Sequence, residues 1–400
     1  MGASSETRTT DFTKLLAAAS TSLLGDGIRT AALPLLAAVL SPTAAAVSVV
    51  TFAGTVPILL FTLYGGALAD RHDRRNLMWR MDLGRGVLVA AFAVWVLTTT
   101  PPLWGLVLMT FLIGSAGAVF DTIAGSFIAD LIDGDNLAKA NGRLQAAQLI
   151  SFQFLGPPLG AALFAVSAGA PLVVDAVTFV AAAGLVFAIR ARHAPARAEV
   201  TTTIRADIAE GVRWLWRHKG LRLLALELGL ANLSVQMAIT MLVLLIVNTL
   251  HAPAALYGVI LAIGAVGGLL GSLAGGWVRR HLSLGVGLGL AIGAMAVSLL
   301  VVGVAGSIPL VAVGYTIGSF GILLWNVQAV VVRQRLTPRD LMGRVTSAYR
   351  LISWGAGPIG AALGGVLGTL LDVRAPIIIG GVLLALSLLL MPRLGRLEQA

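Results

Sequence analysis

The sequence contains no cysteine, and charged residues make up only 12% of its 400 positions. Without thiols the chain has neither a disulfide framework nor a thiolate metal site, and its five histidines show no ligand spacing of the HxxxH type. No GxxxxGKS/T loop occurs, so we do not expect the chain to use ATP directly. No nucleophile, metal-ligand cluster or pair of facing acids forms a catalytic constellation. These absences predict that the chain is not an enzyme and uses no metal and no cofactor.

Hydrophobic residues, in contrast, make up 58% of the chain. They form recurring apolar runs that are each long enough to cross a bilayer, which takes about 20 residues. The first run is long and has no small-residue cleavage site, so we interpret it as a retained helix and not a signal peptide. The pattern predicts an all-α integral membrane protein with twelve transmembrane helices, near residues 15–40, 45–69, 77–98, 103–128, 142–168, 171–189, 221–249, 254–278, 283–304, 308–332, 344–370 and 374–392.

The positive charges are distributed unevenly between the two sides of the predicted membrane. The net charge is +10, yet the loops on one side contain Arg374 as their only Lys or Arg. The positive-inside rule therefore places both termini and the long central loop in the cytoplasm. We expect a multi-pass protein of a bacterial-type cytoplasmic (inner) membrane, with the lipid bilayer and not nucleic acid as the partner of its basic residues.

The chain divides into two similar halves. Residues 191–220 form the only long polar segment, and its end, with Trp214, Trp216 and Arg217, resembles an amphipathic surface helix. Sequence in 149–163 recurs in 351–363, including a Pro-x-Gly-Ala-Ala-Leu run. We predict an N-terminal six-helix bundle at 1–190, a cytoplasmic linker at 191–220 and a C-terminal six-helix bundle at 221–400.

A charged motif follows the second predicted span. Residues 66–75 read GALADRHDRR and closely resemble the G-x-L-a-D-r-x-G-r-R/K signature of the major facilitator superfamily, with Asp73 where the signature usually has Gly. The resemblance implies the major facilitator fold and a gating role in which Asp70 engages the second half in the outward-open state. The alternative is that the bases only anchor the topology. The predicted gating residues are Gly66, Asp70, Arg71, Arg74 and Arg75.

A second motif lies in the fifth predicted span, where Gly156, Pro157, Pro158 and Gly160 resemble the core of the antiporter motif that marks exporters of this superfamily. Proline kinks a helix and glycine permits close helix crossing, which suits one half rocking against another. A simple packing kink is the alternative interpretation. Phe152 occupies a place where the motif prefers Gly.

Further segments along the full chain, at 23–35, 175–179 and 211–215, are similar to the twelve-span drug:proton antiporters that include macrolide and enterobactin exporters. This resemblance implies a functional monomer with a small-molecule substrate and protons as partners. One departure is span 4, which has no Arg where related antiporters often carry a basic residue.

Ionisable residues within spans are costly and mark functional sites. Asp26 lies near the centre of span 1 with Arg29 one helical turn away, so it is the first candidate for the proton carrier. A permanently neutralised structural pair is the alternative. Asp121 and Glu227 are further coupling candidates or residues that snorkel to the membrane edge. Asp175 is interpreted first as a packing or capping residue.

Polar and aromatic residues on several spans are candidates for lining a central substrate cavity. Amide side chains also bind helices to one another, so packing is an equally good interpretation for any one of them. A cavity with few charges and several aromatics suits bulky amphipathic or weakly cationic compounds. The candidates are Gln145, Gln148, Phe152, Asn232, Gln236, Trp325, Asn326, Gln328, Tyr349 and Arg350.

These observations favour a secondary active transporter that exports amphipathic small molecules or drugs in exchange for protons by alternating access. One alternative is a carrier with narrow specificity for a siderophore, lipid or nutrient. An alternative of another class is a membrane scaffold or sensor that transports nothing.

Overall fold

The computed structural model describes residues 2–132, 134–190, 204–338 and 341–391, and all regular elements in these ranges are helices. They are α1 (Gly2–Leu40), α2 (Ala44–Arg71), α3 (Arg74–Thr98), α4 (Leu103–Leu131), α5 (Gly134–Ala147), a π-helix (Gln148–Leu155), α6 (Gly156–Val166), α7 (Ala170–Phe187), α8 (Ile204–Arg217), α9 (Lys219–Leu244), a second π-helix (Leu245–Thr249), α10 (Ala254–His281), α11 (Leu284–Val304), α12 (Ile308–Leu336), α13 (Met342–Leu370), α14 (Ala375–Ser387) and a short 3₁₀-helix (Leu388–Leu390).

Eleven of the helical segments in the described ranges are long and apolar enough to cross a membrane. A twelfth, Ala375–Leu390, is apolar but shorter, and it ends in the 3₁₀-helix. Large apolar side chains on these helices are exposed, such as Leu273 at 69% and Trp104 at 62%, as expected where the surroundings are lipid. The number of spans and the all-α class agree with the sequence prediction.

The fifth span changes its helical register beside its two prolines. Its π-helix ends at Leu155, and the amide of Gly156 donates to the carbonyl of Ser151. Pro157 and Pro158 have no amide hydrogen to donate, and their rings exclude normal α-helical packing on the preceding turn. A π-helical stretch absorbs that mismatch without ending the span.

The described residues form two compact units. The first lies within Met1–Pro42, Ala53–Glu199 and Pro253–Ala262, and the second within Thr43–Phe52, Val200–Ala252 and Ile263–Ala400. The start of α2 belongs to the second unit, where the Ser48 hydroxyl donates to the Ala361 carbonyl at 2.7 Å. The division into bundles at 190 and 220 stays a prediction.

The sequence repeat corresponds to one repeated helix contact. In the first unit, a Cβ built on Gly160 would lie 2.2 Å from the carbonyl oxygen of Ile28 on α1. In the second unit, a Cβ on Gly360 would lie 2.3 Å from the carbonyl oxygen of Leu233 on α9. In each unit, a glycine therefore lets the fifth span touch the backbone of the first span.

Helix α8 packs within the second unit. A Cβ on Gly211 would lie 2.3 Å from the carbonyl oxygen of Arg344, and the Arg344 guanidinium donates to Glu210 at 2.7 Å. Helix α8 thus lies against the start of α13. The remainder of the predicted linker, residues 191–203, lies outside the described residues.

Candidate functional site

Asp26 is held on α1 between two glycines that bring neighbouring helices close. A Cβ on Gly25 would lie 2.0 Å from the Thr178 hydroxyl of α7, and one on Gly27 would lie 2.5 Å from the Phe152 carbonyl. A larger residue at Gly27 would meet backbone atoms of the fifth span, and one at Gly25 would displace the Thr178 and Asp175 side chains. Helix α1 is therefore fixed with the Asp26 side chain inside the first unit.

Around Asp26, charged side chains from three helices form a network. Arg29 donates to Asp26 Oδ1 from the next turn of α1, and Arg85 Nη2 of α3 donates to the same oxygen at 2.9 Å. Arg29 Nε also donates to Asp175 Oδ2 of α7 at 2.9 Å. Arg85 Nη1 donates to Asp82 Oδ1 at 3.3 Å, one turn before it on α3. The network thus joins α1, α3 and α7 through ion pairs.

The network contains more acids than bases. Asp26, Asp82 and Asp175 face two guanidiniums, so the group has an excess negative charge when every carboxyl is ionised. Asp82 and Asp175 are both fully buried. A buried, uncompensated charge is very costly, so binding one proton stabilises the network.

The contacts are shared unequally among the three acids. Asp26 contacts both arginines, whereas Asp82 and Asp175 each contact one. Asp82 Oδ2 and Asp175 Oδ1 are buried and accept no hydrogen bond from a described residue. A free, buried carboxylate oxygen is the position where an added proton disturbs the fewest contacts.

Aromatic rings surround the second arginine. The Arg85 guanidinium carbon lies 4.0 Å from the centre of the Phe179 ring and 5.6 Å from that of Phe120. Gly86 allows this approach, because a Cβ there would lie 3.3 Å from the Ala176 carbonyl of α7. The rings favour a permanently charged cation at this position and exclude water from it.

The sequence model of the Major Facilitator Superfamily matches residues 15–361 of this chain. The chain belongs to this superfamily. Its fold is therefore the major facilitator fold of twelve transmembrane helices in two six-helix bundles, which the sequence predicted, and the chain is a transporter and not an enzyme.

Named members of this superfamily are similar to the chain over almost its full length. The multidrug efflux pump Tap of Mycolicibacterium fortuitum is 28% identical, with 96% of this chain and 97% of that protein covered. Macrolide efflux protein A of Streptococcus pyogenes is 26% identical, with 89% of each chain covered. The resemblance to the drug-exporter branch is confirmed.

Solved major facilitator structures have the same fold. A mutant of nucleoside transporter NupG superposes with a TM-score of 0.80 at 10% identity, covering 97% of this chain and 99% of that one. A bacterial homologue of the iron transporter ferroportin, in its inward-facing state, gives 0.76 at 18% identity, covering 96% and 98%. At these identities the likeness concerns the fold alone.

Of the predicted coupling residues, the structure brings Asp26 and Arg29 together. Asp121 on α4 is exposed and acts on Asp26 and Arg85 electrostatically, without an ion pair to a described residue. Glu227 lies in the second unit, 2% exposed, and its Oε2 accepts no hydrogen bond from the described part of the chain. The network and Glu227 are thus separate acidic positions.

Asp82 and Arg85 were missed from the sequence, and Asp175 was interpreted only as packing or capping. A usable signal for the first two was present: Asp82-x-x-Arg85 repeats the spacing of Asp26-x-x-Arg29 within a predicted span. A span with an acid and a base one turn apart contains a pair that neutralises itself. The same spacing in a second span of this half marks Asp82 and Arg85 as a second candidate pair, without showing that the two pairs meet.

The predicted cavity residues lie in both units, three in the first and seven in the second. Asn232 Nδ2 donates to the Ser353 carbonyl at 2.8 Å, which joins α9 to α13 and fits the packing interpretation. The remaining residues differ in burial. Gln145, Gln148, Asn326 and Arg350 are exposed, Phe152 and Gln236 are half-buried, and Trp325, Gln328 and Tyr349 are buried.

An apolar cavity of about 50 Å³ lies within the second unit, between α9, α11 and α12. Its walls include Leu242, Met295 and Val302, with hydroxyl groups from Ser298 and Tyr315. None of the residues predicted from sequence lines it. A largely apolar wall with a few hydroxyls suits part of an amphipathic molecule.

The predicted gating motif is described in part. The side chains of Gly66, Asp70 and Arg71 lie outside the described residues. Arg75 is buried, its guanidinium donates to the Phe187 carbonyl at the end of α7, and its charge stabilises that helix end. Asp73 caps α3 by accepting from the Asn76 amide at 3.0 Å, a role that the usual Gly has no side chain to perform.

Proposed function

We propose that this transporter exports amphipathic small molecules in exchange for protons. Two relatives that match nearly the whole chain are named as multidrug and macrolide efflux proteins, which supports export. The apolar cavity in the second unit supports an amphipathic substrate. The single observation that carries proton coupling is the network of three acids on two arginines in the first unit, in which Asp82 and Asp175 are fully buried and Asp26 is half-buried.

The network gives protonation a structural consequence. With one proton bound it is neutral and stable in a dry protein interior, whereas without the proton its excess charge is stable only beside water. Protonation therefore favours the state in which the network is closed off, and loss of the proton favours a hydrated state. A ligand that binds better to one of the two states shifts the same equilibrium.

We assign the proton to Asp82 first and to Asp175 second. Asp82 has the longest ion-pair contact of the network, 3.3 Å to Arg85, and a free buried oxygen. Asp26 instead receives both guanidiniums and stays ionised as their shared anion. A cationic substrate near the network would compensate the same negative charge as the proton, so the two compete and antiport follows.

Several parts of this proposal follow the sequence interpretation. We infer that the chain functions as a monomer, that both termini are cytoplasmic and that Asp70 of the signature motif acts in gating. Gly156, Pro157, Pro158 and Gly160 contribute the close packing of the fifth span against α1, beside Asp26.

The test is proton movement in liposomes that contain the purified protein and an internal pH dye. A macrolide, a tetracycline, a lipophilic cation and a siderophore are added in turn, to the parent and to Asp82→Asn. We expect one of the first three to drive proton flux in the parent, and the flux to fall at least tenfold in Asp82→Asn while substrate counterflow persists. Asp372→Asn, at an exposed acid in a loop, is the matched control.

Other outcomes contradict defined parts of the proposal. If only the siderophore moves protons, the protein is a carrier of narrow specificity. If Asp26→Asn, Asp82→Asn and Asp175→Asn all retain full flux, the proton does not bind in this network. If no compound moves protons or accumulates, the transporter does not export this class of substrate.

A further inference from the structure

The arginine-rich end of the second unit contains a cavity that has no role in the proposed exchange. It has a volume of about 190 Å³ and lies between the end of α10, the start of α11 and the end of α12. Arg279, Arg335 and Gln328 supply its polar groups, and Leu282, Leu284 and Leu336 are among its apolar residues. One wall is therefore rich in hydrogen-bond donors, and another wall is apolar.

Gln328 lines this cavity although the residue is only 2% exposed. Its Nε2 makes no hydrogen bond with any described residue. Gly287 of α11 leaves space for the amide, because a Cβ there would lie 3.0 Å from Nε2. A buried amide donor without an acceptor is costly, so a ligand oxygen at this position would be stabilised.

The charged residues that line the cavity, Arg279 and Arg335, are both basic. Between Glu227 and Asp340 the sequence has no Asp or Glu, yet it contains five arginines, at 279, 280, 333, 335 and 339. Within the described ranges, neither Arg279 nor Arg335 forms an ion pair. Arginines that only fix the orientation of the chain in the membrane do not require a buried amide donor such as that of Gln328 beside them. Two arginines and an amide donor together match an oxyanion with several acceptor oxygens.

The position along the helices points to the source of that oxyanion. Trp277, one turn before the end of α10, is 54% exposed and stacks on His281 with ring centres 4.8 Å apart. Exposed Trp residues at the ends of spans mark the boundary between headgroups and hydrocarbon. The leucines of the cavity wall suit the glycerol and first acyl carbons of a lipid, and a free inorganic anion would leave them without a partner.

We propose that this cavity binds the phosphodiester headgroup of an anionic phospholipid, with Arg279, Arg335 and Gln328 holding the phosphate oxygens. Basic pockets between transmembrane helices at the membrane edge are a known physical basis for such recognition. The site is separate from the acidic network of the first unit and does not rest on the proton-exchange proposal.

The test compares lipids on the purified full chain in neutral detergent. Phosphatidylglycerol, phosphatidylcholine and inorganic phosphate are each titrated while the thermal unfolding midpoint is recorded, and native mass spectrometry counts the bound lipids. We expect phosphatidylglycerol alone to raise the midpoint and to remain bound. In Arg279→Gln/Arg335→Gln its affinity should fall roughly thirtyfold. Gln328→Leu should weaken it as well.

Arg280→Gln is the matched control, because Arg280 follows Arg279 directly but its Nε donates to the Gly276 carbonyl at 3.2 Å and it does not line the cavity. Its lipid affinity should equal that of the parent.

If Gln328→Leu fails to fold, the double arginine variant tests the proposal by itself, because it changes only charged side chains at the ends of two helices. Equal effects of phosphatidylcholine, or unchanged affinity in the double variant, would overturn the proposal, and an equal effect of inorganic phosphate would replace the lipid by a free anion.

Discussion

Arg85 on α3 donates to the Asp26 carboxylate on α1 at 2.9 Å, across a sequence separation of 59 residues. The oxygen that accepts this bond also accepts from Arg29. A single carboxylate oxygen thus keeps two guanidiniums side by side in the interior of the first unit. Each guanidinium also forms a second ion pair, Arg85 with Asp82 and Arg29 with Asp175.

The charge balance of this network predicts the effect of Arg85→Gln. The substitution leaves three carboxylates, two of them fully buried, with one cation. Breaking one side of a buried ion pair typically costs about 3–5 kcal/mol. We expect a large loss in thermal unfolding midpoint in detergent. Adding Asp82→Asn removes one uncompensated acid and should restore most of the loss.

The double variant is the decisive comparison in that series. Non-additivity of the two substitutions measures their coupling directly. If Arg85→Gln/Asp82→Asn is no more stable than Arg85→Gln alone, Asp82 does not share the charge balance. Arg350→Gln is the matched control, since Arg350 is exposed and forms no ion pair with a described residue.

A second prediction concerns the repeated glycine contact. Gly160→Ala and Gly360→Ala should each force the fifth span of their unit away from the first span, because the added Cβ would lie 2.2 and 2.3 Å from carbonyl oxygens. Overpacking of this kind typically costs about 1–3 kcal/mol. Both variants should show lower unfolding midpoints. Gly357→Ala, where a Cβ meets nothing within 4 Å, should match the parent. If all three variants have the same unfolding midpoint, the glycine contacts do not restrict the size of the side chain.

Most of the fold could be predicted from the sequence, because the bilayer imposes a simple rule. Spans must be long, apolar and helical, and their charges collect in the loops. The predicted start of span 4 at 103 agrees with that of α4. The structure differs where proline chemistry acts locally: the fifth span contains a π-helix that hydropathy does not reveal.

The candidate site was predictable only in part. The Asp26 and Arg29 pair was found because both residues lie one turn apart in one span. The partners Asp82, Arg85 and Asp175 come from other helices, and a single sequence does not say which faces of separate spans meet. Asp175 also lies near the start of the helix Ala170–Phe187, a position that is typical of a capping residue. Its position along the helix therefore did not indicate the ion pair with Arg29.

A third prediction separates packing from substrate contact among the amides. Asn232→Ala removes the bond to the Ser353 carbonyl, and such interhelical hydrogen bonds in membranes contribute about 0.6 kcal/mol. We expect a small drop in unfolding midpoint and an unchanged order of transported substrates. Asn326→Ala, at an exposed amide of α12, should leave the midpoint unchanged and alter transport. The reverse pattern would assign Asn232 to the substrate cavity.

A fourth prediction concerns Glu227, the buried acid of the second unit. It forms no ion pair with a described residue, and its Oε2 has no hydrogen-bond donor. A buried carboxyl group without a cation beside it costs less free energy in its neutral form than as a charge. The isosteric Glu227→Gln should therefore retain both the unfolding midpoint and substrate-driven proton flux. Glu227→Ala should lower the midpoint, because it removes buried side-chain volume. Loss of proton flux in Glu227→Gln at an unchanged midpoint would instead move the coupling acid from the first unit to the second.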